Sequence, residues 1–297
     1  MCHDCNLRCE YCMPADGLPL RGKPMSVDEL EAVARAAALC GINKVRLTGG
    51  EPLTRPEIVE ICERIGHVEG IQSLCITTNG TRLAELAEAL RAAGVTRINL
   101  SLDSLSPQRY AQITRGGDLA QVLRGMEAVL AAGFERLKIN CVLIGGVNDD
   151  EVGDFVRLTL NHALEVRFIE LMPMGECAGW PKERFISAET VLKTCPELQP
   201  IGSEGVAQRY RLPNSQGAVG LIRPMSHAFC GDCDRIRVTS DGMLKPCLHS
   251  GAELSLRGLT GEALLQRMSD GIEGKPSTHH LLNGGSETER RMSQIGG

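Results

Sequence analysis

The chain has 297 residues, of which 42% are hydrophobic and 23% are charged, the composition of a globular protein long enough to bury a core. Its net charge of −5 argues against a general nucleic-acid binder, and no apolar run approaches the roughly 18 residues of a membrane span. The 13 cysteines, with no signal peptide before them, indicate metal or redox chemistry in a reducing compartment, so we expect a cytoplasmic protein.

From residue 26 onwards, the chain alternates between helical and strand patterns. The first helix begins with a capping box at Ser26 and Glu29, and apolar residues follow at helical spacing. Repeated β–α units predict a parallel sheet, and five evenly recurring strands favour a barrel over a short open sheet. The strands are predicted at 44–48, 73–78, 97–103, 137–143 and 166–171, and the helices between them at about 57–64, 83–90, 121–132 and 150–161.

Polar residues recur at every second position of the predicted strands, although buried parallel strands are usually apolar throughout. Lys44 and Arg46 share one strand face, and Lys138 and Arg167 lie on later strands. If helices cover the apolar faces, these cations point into the barrel and form a cavity for an anion. The alternatives are a barrel filled by salt bridges, or strands misread by one residue.

After about residue 200 the pattern changes to short β-like stretches, at 208–212, 217–223 and 235–239, with Gly and Pro turns between them. Few long helical patterns occur in this part of the chain. We therefore predict an α/β core domain at residues 1–200 and a smaller second domain at residues 201–297.

Three cysteines, Cys5, Cys9 and Cys12, lie within eight residues of each other near the start of the chain. A structural zinc usually takes four protein ligands in paired C-x2-C motifs, which fits this spacing poorly. An iron–sulfur cube takes one ligand for each of four irons, so three thiolates leave one iron open for a substrate or cofactor. Zinc with a distant ligand and coincidence are the alternatives.

A second set of three cysteines, Cys230, Cys233 and Cys247, lies in the C-terminal part of the chain. Its pattern fits zinc and iron–sulfur equally well, because His249 offers a fourth ligand for zinc. The other seven cysteines, such as Cys40, are expected to be small core residues rather than ligands.

The first cysteine set, C-x3-C-x2-C with Tyr11 before its last cysteine, resembles the signature of radical S-adenosylmethionine (SAM) enzymes. The turn at residues 48–52, Thr-Gly-Gly-Glu-Pro, follows a predicted strand, where that superfamily carries a turn that meets the methionyl end of the cofactor. Two glycines allow close approach of the backbone, and Glu51 would be an anionic partner for the ammonium group. The resemblance implies a SAM site formed by Tyr11, Gly49, Gly50, Glu51, Ser101 and Met172.

Further motifs are similar to those of the GTP 3′,8-cyclase family, which includes molybdenum cofactor biosynthesis protein A. They are Arg235-Ile236-Arg237 beside the second cysteine set, residues 167–175, residues 77–80 and the final Gly296-Gly297. The resemblance covers nearly the whole chain. It implies a partial (β/α)6-type radical SAM barrel, with about five of its strands present, and a smaller C-terminal α+β domain that carries a second iron–sulfur cluster.

The resemblance also implies the chemistry. Such a lyase uses SAM and two 4Fe–4S clusters, each with three cysteine ligands and one open iron. A 5′-deoxyadenosyl radical takes the 3′ hydrogen of GTP, and the sugar radical closes onto C8 of guanine. The product is (8S)-3′,8-cyclo-7,8-dihydroguanosine 5′-triphosphate, and this is the first step of molybdenum cofactor (molybdopterin) biosynthesis.

Residue roles and partners follow from the same resemblance. The expected partners are GTP, an electron donor of flavodoxin or ferredoxin type, a downstream cyclic pyranopterin monophosphate synthase that takes the product, and a second copy of the chain in a homodimer. Neither a nucleic acid nor a membrane is expected. The implied metal ligands are Cys5, Cys9, Cys12, Cys230, Cys233 and Cys247. The implied GTP-binding residues are Lys44, Arg46, Thr77, Lys138, Arg167, Arg235, Ile236 and Arg237, and the implied catalytic residues are Arg235, Arg237, Gly296 and Gly297.

The sequence departs from the family pattern at its start. In the family a strand with a GTP-contacting arginine precedes the first cysteine, but here only four residues precede Cys5, so we expect that strand to be missing. Two other functions were weighed: a different radical SAM enzyme, such as a peptide maturase with an auxiliary cluster, and a truncated, non-catalytic metal-binding homologue.

Overall fold

The computed structural model describes residues 4–19, 22–278, 281 and 285–296. The strands are β1 (Lys44–Leu47), β2 (Ser73–Thr78), β3 (Arg97–Ser101), β4 (Arg136–Leu143), β5 (Glu165–Glu170), β6 (Gln199–Glu204), β7 (Ala207–Arg211), β8 (Ala218–Ile222), β9 (Arg237–Val238), β10 (Met243–Lys245) and β11 (Leu254–Ser255). The α-helices are α1 (Val27–Leu39), α2 (Ile58–Gly66), α3 (Leu83–Ala92), α4 (Pro107–Thr114), α5 (Leu119–Ala131), α6 (Val152–Asn161), α7 (Glu189–Thr194), α8 (Gly261–Glu273) and α9 (Met292–Ile295).

The main sheet contains eight strands in the order β1-β2-β3-β4-β5-β8-β7-β6. Strands β1 to β5 and β8 run parallel, and β6 and β7 are antiparallel at one edge. The predicted α/β architecture with a parallel sheet is confirmed. All five predicted strands are present, and their ends lie within two residues of the predicted ones.

The sheet continues past residue 200. Strand β8 pairs in parallel with β5 over five residues, so the stretches predicted at 208–212 and 217–223 extend the main sheet instead of starting a separate one. The pattern could not reveal this, because pairing of β8 with β5 depends on contacts far apart in the sequence. The division of the chain at residue 200 stays a prediction.

Four of the described helices, α4, α7, α8 and α9, were not predicted. Helix α4 begins after Ser106, whose hydroxyl caps the helix, and has Pro107 in its first turn, a recognisable start signal. Helix α8 is 13 residues long and lies in the part of the chain where few long helices were expected. The predicted capping box of α1 is present, with Ser26 and Glu29 bonded to each other's backbone N–H groups.

The alternating pattern of the strands separates two environments. Apolar residues such as Ile98, Leu100 and Ile139 are fully buried in the main core beneath the helices. The intervening polar positions, including Asn99 and Lys138, point to the opposite face of the sheet. The polar face is the concave inside of the partial barrel, which is called the lumen below.

The C-terminal part packs onto the first helix. Strands β9, β10 and β11 form a small antiparallel sheet, and α8 covers it. Leu244, Leu264 and Met268 are buried there against Val33 and Ala37 of α1. In the described part of the chain, no helix is both long enough and apolar enough to cross a bilayer.

Close packing at Gly125 gives a test of the fold. A Cβ there would lie 2.6 Å from the Gly80 carbonyl oxygen and 2.9 Å from Leu83 Cβ. We expect Gly125→Ala to lower the free energy of unfolding by about 1–3 kcal/mol, because the turn at Gly80 must move. Gly153→Ala is the control in α6, where a Cβ would meet only the Arg157 guanidinium, at 3.5 Å or more. Denaturant unfolding that shows equal losses for both variants would contradict this packing.

Candidate active site

The first cysteine set lies on a loop that precedes α1 and docks onto the C-terminal end of α4. The Arg8 N–H donates to the Thr114 carbonyl at 3.1 Å, and the Glu10 N–H donates to the Ile113 carbonyl at 2.9 Å. Within the loop, the N–H groups of Cys12 and Met13 both donate to the Cys9 carbonyl. Helix α4 therefore fixes the backbone on which the three thiols are carried.

Arg115 ties the same loop down from its other side. Its guanidinium donates to the Arg8 carbonyl at 3.0 Å and to the Met13 carbonyl at 2.9 Å. The residue ends α4 with a φ of 56°, in the left-handed region that non-glycine residues rarely adopt. Sequence reasoning missed Arg115, because nothing in the pattern links a residue after α4 to the cysteines.

The turn after β2 holds the first cysteine. The Asn79 side-chain amide donates to the Asn6 carbonyl oxygen at 2.8 Å and lies 3.8 Å from Cys5 Sγ. The Asn6 amide in turn donates to the Thr81 hydroxyl, and that hydroxyl donates back to Asn79. This closed ring of hydrogen bonds fixes Cys5 relative to the sheet.

The three thiols share a buried, electron-rich environment. Burial raises the pKa of Cys5, and it raises the pKa of Cys12 to about 12. Burial also raises the pKa of Cys9 well above its usual value, and the charges of Asp103, Cys12 and Cys5 add to this effect. Three thiolates so close together need a cationic partner, which an iron–sulfur cluster provides. Among the described residues, no three His, Cys, Asp or Glu side chains converge on one metal ion. Ligands of a cube need not converge, because each binds a different iron.

The turn after β1 adjoins this loop through Glu51. The Glu51 N–H donates to the Asp4 carbonyl at 2.8 Å. Its carboxylate is buried and accepts hydrogen bonds from the Leu53 N–H, the Thr78 hydroxyl and the Asn79 N–H, while burial raises its pKa to about 7. The carboxylate thus supports the turn from inside, and its predicted contact with an ammonium group stays a prediction.

The other predicted SAM contacts lie at the same end of the sheet. Ser101 ends β3, Met172 follows β5, and both are half-buried, as are Gly49 and Gly50 after β1. The carboxyl ends of parallel strands are where such barrels carry their sites. The structure therefore brings these residues to the edge where the cysteine loop docks.

Asp103 is a further buried residue at this edge. It accepts a hydrogen bond from the Tyr11 hydroxyl at 2.8 Å and another from the Val142 N–H at 2.8 Å. Burial raises the pKa of this carboxyl to about 6. The predicted strand contained Asp103, but its role in fixing Tyr11 needed the fold to become visible.

The predicted cations line the lumen and face one another. Burial lowers the pKa of Arg46, and the neighbouring Arg235 and Arg167 lower it further. Burial lowers the pKa of Arg237 to about 10, with Arg235 and Arg46 adding to the effect. Burial and the charge of Arg167 lower the pKa of Lys138 to about 8. Each of these five residues influences the pKa of another or is influenced by one, and they are called the lumen cations below: Arg46, Lys138, Arg167, Arg235 and Arg237.

Among the described residues, salt bridges to carboxylates reach only one end of this group, while the charge of Asp234 acts on Arg46 at the other end without a salt bridge. Lys138 Nζ lies 2.8 Å from Glu204 Oε1, and Arg167 Nε lies 2.5 Å from Glu165 Oε1. Within the described residues, no carboxylate lies within 4.0 Å of the guanidinium groups of Arg46, Arg235 or Arg237. The salt-bridge alternative therefore holds for one end of the lumen, and the anion cavity at the other end stays a prediction.

The remaining predicted GTP-binding residues lie beside the lumen cations. Lys44 lies two residues before Arg46 on β1 and is exposed. Thr77 on β2 accepts a hydrogen bond from the Asn99 amide at 3.2 Å. Ile236 is half-buried between the two arginines of the predicted motif.

The second cysteine set borders the lumen on the C-terminal side. Cys230 begins a single 3-10 turn, and the Cys233 N–H donates to the Cys230 carbonyl at 3.2 Å. Cys233 and Cys247 are both close enough to Arg237 to influence its pKa. His249, the fourth ligand in the zinc alternative, is buried with Nδ1 3.4 Å from the Ser286 hydroxyl oxygen.

The C-terminal tail reaches the same arginine. The Gly296 carbonyl accepts a hydrogen bond from Arg237 Nη1 at 2.6 Å. Its φ is 84°, and a Cβ at this position would lie 2.4 Å from Thr48 Cγ2, so only glycine fits. Gly297 lies outside the described residues. Arg290 anchors the tail through ion pairs with Asp241 and Glu253.

Comparison with known proteins adds two family matches. The chain matches the Radical SAM superfamily model over residues 1–159 and the Molybdenum Cofactor Synthesis C model over residues 164–281. Relatives named GTP 3′,8-cyclase from Alkaliphilus oremlandii and Alkaliphilus metalliredigens are 47% and 48% identical over 301 residues, 99% of this chain and 94% of each relative. One from Moorella thermoacetica is 42% identical over 306 residues, with the same coverage.

Solved structures match at lower identity. Native anSMEcpe with bound AdoMet has a TM-score of 0.60 and 15% identity, covering 99% of this chain and 91% of that one. SuiB of Streptococcus suis bound to S-adenosylmethionine has a TM-score of 0.55 and 15% identity, covering 88% and 60%. These likenesses concern the fold, and they confirm its radical SAM class.

The hold of Arg115 on the cysteine loop can be tested by iron retention. Arg115→Gly removes both guanidinium hydrogen bonds while suiting the left-handed backbone, so the fold should remain intact. In a chain whose second cysteine set is replaced by alanine, we expect the iron retained after anaerobic reconstitution and gel filtration to fall on the order of twofold. Arg91→Ala removes a comparable exposed bond to the Gly133 carbonyl and should change nothing. Full retention by Arg115→Gly would contradict the interpretation.

Proposed function

This chain belongs to the GTP 3′,8-cyclase family of radical SAM enzymes, and from that premise we propose that it binds GTP in the lumen and converts it to (8S)-3′,8-cyclo-7,8-dihydroguanosine 5′-triphosphate. This reaction is the first step of molybdenum cofactor biosynthesis. The observation that carries the proposal is the group of lumen cations, which the second cysteine set borders at Arg237. A triphosphate is the small polyanion that such a group suits.

At the first site, Cys5, Cys9 and Cys12 would hold a 4Fe–4S cluster, and SAM would lie against its open iron. When bound and reduced, this pair supplies the radical that takes the 3′ hydrogen of GTP. The chain's own residues orient the reactants. The Gly49-Gly50 turn allows close approach of the cofactor, while Asp103 fixes Tyr11 at the rim.

The triphosphate would lie along the lumen. Arg46 and Lys44 on β1 would bind it from one side, with Thr77 offering a hydroxyl from β2. Lys138 and Arg167 would share their charge between the phosphates and the carboxylates of Glu204 and Glu165. This sharing keeps the two cations in place before the substrate arrives.

The guanine end would lie at the second site. Cys230, Cys233 and Cys247 would hold the second 4Fe–4S cluster, which would supply an open iron as a ligand site for the base. Arg235, Ile236 and Arg237 follow that set directly, and Arg237 also holds the tail at Gly296. We propose that Gly296 and Gly297 close the reaction space and that Arg235 and Arg237 contact the reacting nucleotide.

The wider organisation belongs to the same proposal. Residues 1–200 would form the barrel and residues 201–297 the part that carries the second cluster and GTP contacts. A flavodoxin- or ferredoxin-type protein would supply single electrons, a cyclic pyranopterin monophosphate synthase would take the product, and the chain would work in the cytoplasm, with a homodimer as its assembly.

Product formation tests the proposal. The chain is reconstituted anaerobically, reduced with dithionite, incubated with SAM and GTP, and examined by mass spectrometry. We expect 5′-deoxyadenosine together with an isomer of GTP. Cys12→Ala should abolish both, whereas Cys40→Ala, at a half-buried cysteine outside both sets, should retain both. Formation of 5′-deoxyadenosine without a GTP isomer would overturn the assignment of the substrate.

Lys138 gives a pH-dependent prediction. Because its pKa is lowered to about 8, it loses its charge between pH 7 and pH 9 in the free protein. A bound triphosphate should restore an ordinary lysine pKa near 10.4, so GTP affinity should fall roughly tenfold over this interval. Lys138→Arg, which stays charged, should show a much smaller fall and controls for titration of the nucleotide. If equilibrium binding shows that GTP affinity falls equally with pH in the Lys138 and Lys138→Arg forms, a contact between Lys138 and GTP is contradicted.

A further inference from the structure

Lys275 occupies an unusual position just beyond α8. Its ammonium group donates to the Arg235 carbonyl at 2.7 Å and to the Pro246 carbonyl at 3.0 Å, and it lies 3.7 Å from Cys233 Sγ. A lysine ammonium has three N–H donors, so all of them are directed at the chain. The side chain therefore has no donor left for a phosphate.

The three acceptors belong to two separate cysteine-bearing segments. Arg235 lies two residues after Cys233, and Pro246 directly precedes Cys247. One cation thus joins the segment that carries Cys233 to the segment that carries Cys247. Lys275 itself is held by its N–H bond to the Ile272 carbonyl and by the packing of α8 on β10, where Gly271 meets Leu244.

From this geometry we propose that Lys275 is the positioning residue of the second cysteine set, and that its ammonium group holds the segments of Cys233 and Cys247 in the arrangement that an iron–sulfur cluster requires. The proposal rests on the proposed function, since it assumes a cluster at that set. A cation beside a thiolate offsets the negative charge of a cluster, and hydrogen bonds to cluster sulfurs tune its reduction potential. Lys275 thereby acts on the cluster through the ligands, without touching GTP.

The experiment measures iron on the second set alone. In the full chain, Cys5, Cys9 and Cys12 are replaced by alanine, the protein is reconstituted anaerobically, and release of iron to a chelator is followed. Lys275→Met should release iron at least about tenfold faster than the lysine form, which is the loss expected for a charged hydrogen bond. Lys275→Arg should restore part of the retention, and Lys193→Met, at an exposed lysine of α7, should have no effect.

The outcomes separate the inference from the proposed function. If the Lys275 form binds no iron at the second set, the proposed second cluster fails. If the Lys275 form binds about four irons and the Lys275→Met variant releases iron as slowly as the Lys275 form does, the positioning role of Lys275 is overturned. Equally fast release from Lys275→Arg and Lys275→Met would also overturn it. A shift of the cluster's electron paramagnetic resonance signal in the variants, at an unchanged thermal midpoint, supports it and separates positioning from loss of fold.

Discussion

Repulsion between like charges in the lumen is the constraint on which the rest of the site depends. Arg46 is exposed and Arg235 and Arg237 are half-buried, and the charge of Arg235 lowers the pKa of both other arginines. At an effective dielectric constant of about 20, two charges 4 Å apart repel by about 4 kcal/mol. A bound polyanion would offset this repulsion. Glu165 and Glu204 neutralise one end and leave the other open for the ligand.

The scaffold places this charge between the two cysteine sets. The first loop is fixed by α4, by Arg115 and by the turn after β2, all at the carboxyl edge of the parallel strands. The second set is fixed through the small C-terminal sheet and the ammonium group of Lys275. The tail returns to the boundary between them and meets Arg237. A nucleotide bound by the lumen cations would therefore lie beside the second cysteine set.

Local patterns in the sequence predicted much of this arrangement. Alternation of polar and apolar residues in the strands predicted the cationic lumen, because a strand directs alternate side chains to opposite faces. Cysteine spacing predicted two sets of three metal ligands, and their role as ligands stays a prediction. The pairing of Lys138 with Glu204 could not be predicted, because it depends on where the β6–β7 hairpin joins the sheet. The inward direction of the Glu51 carboxylate was equally hidden, since its donors Thr78 and Asn79 come from another strand and its turn.

The most direct measurement is the equilibrium affinity of the reconstituted protein for GTP, GDP and GMP over a range of salt concentrations. If the lumen cations bind the phosphates, affinity should fall markedly with each phosphate removed, and GTP should show the steepest salt dependence because it neutralises the most charge. Replacement of Arg46 by glutamine should reduce both the affinity difference between GTP and GMP and the difference in their salt dependence. Similar affinities for GTP and GMP, with little effect of salt, would contradict a triphosphate site in the lumen.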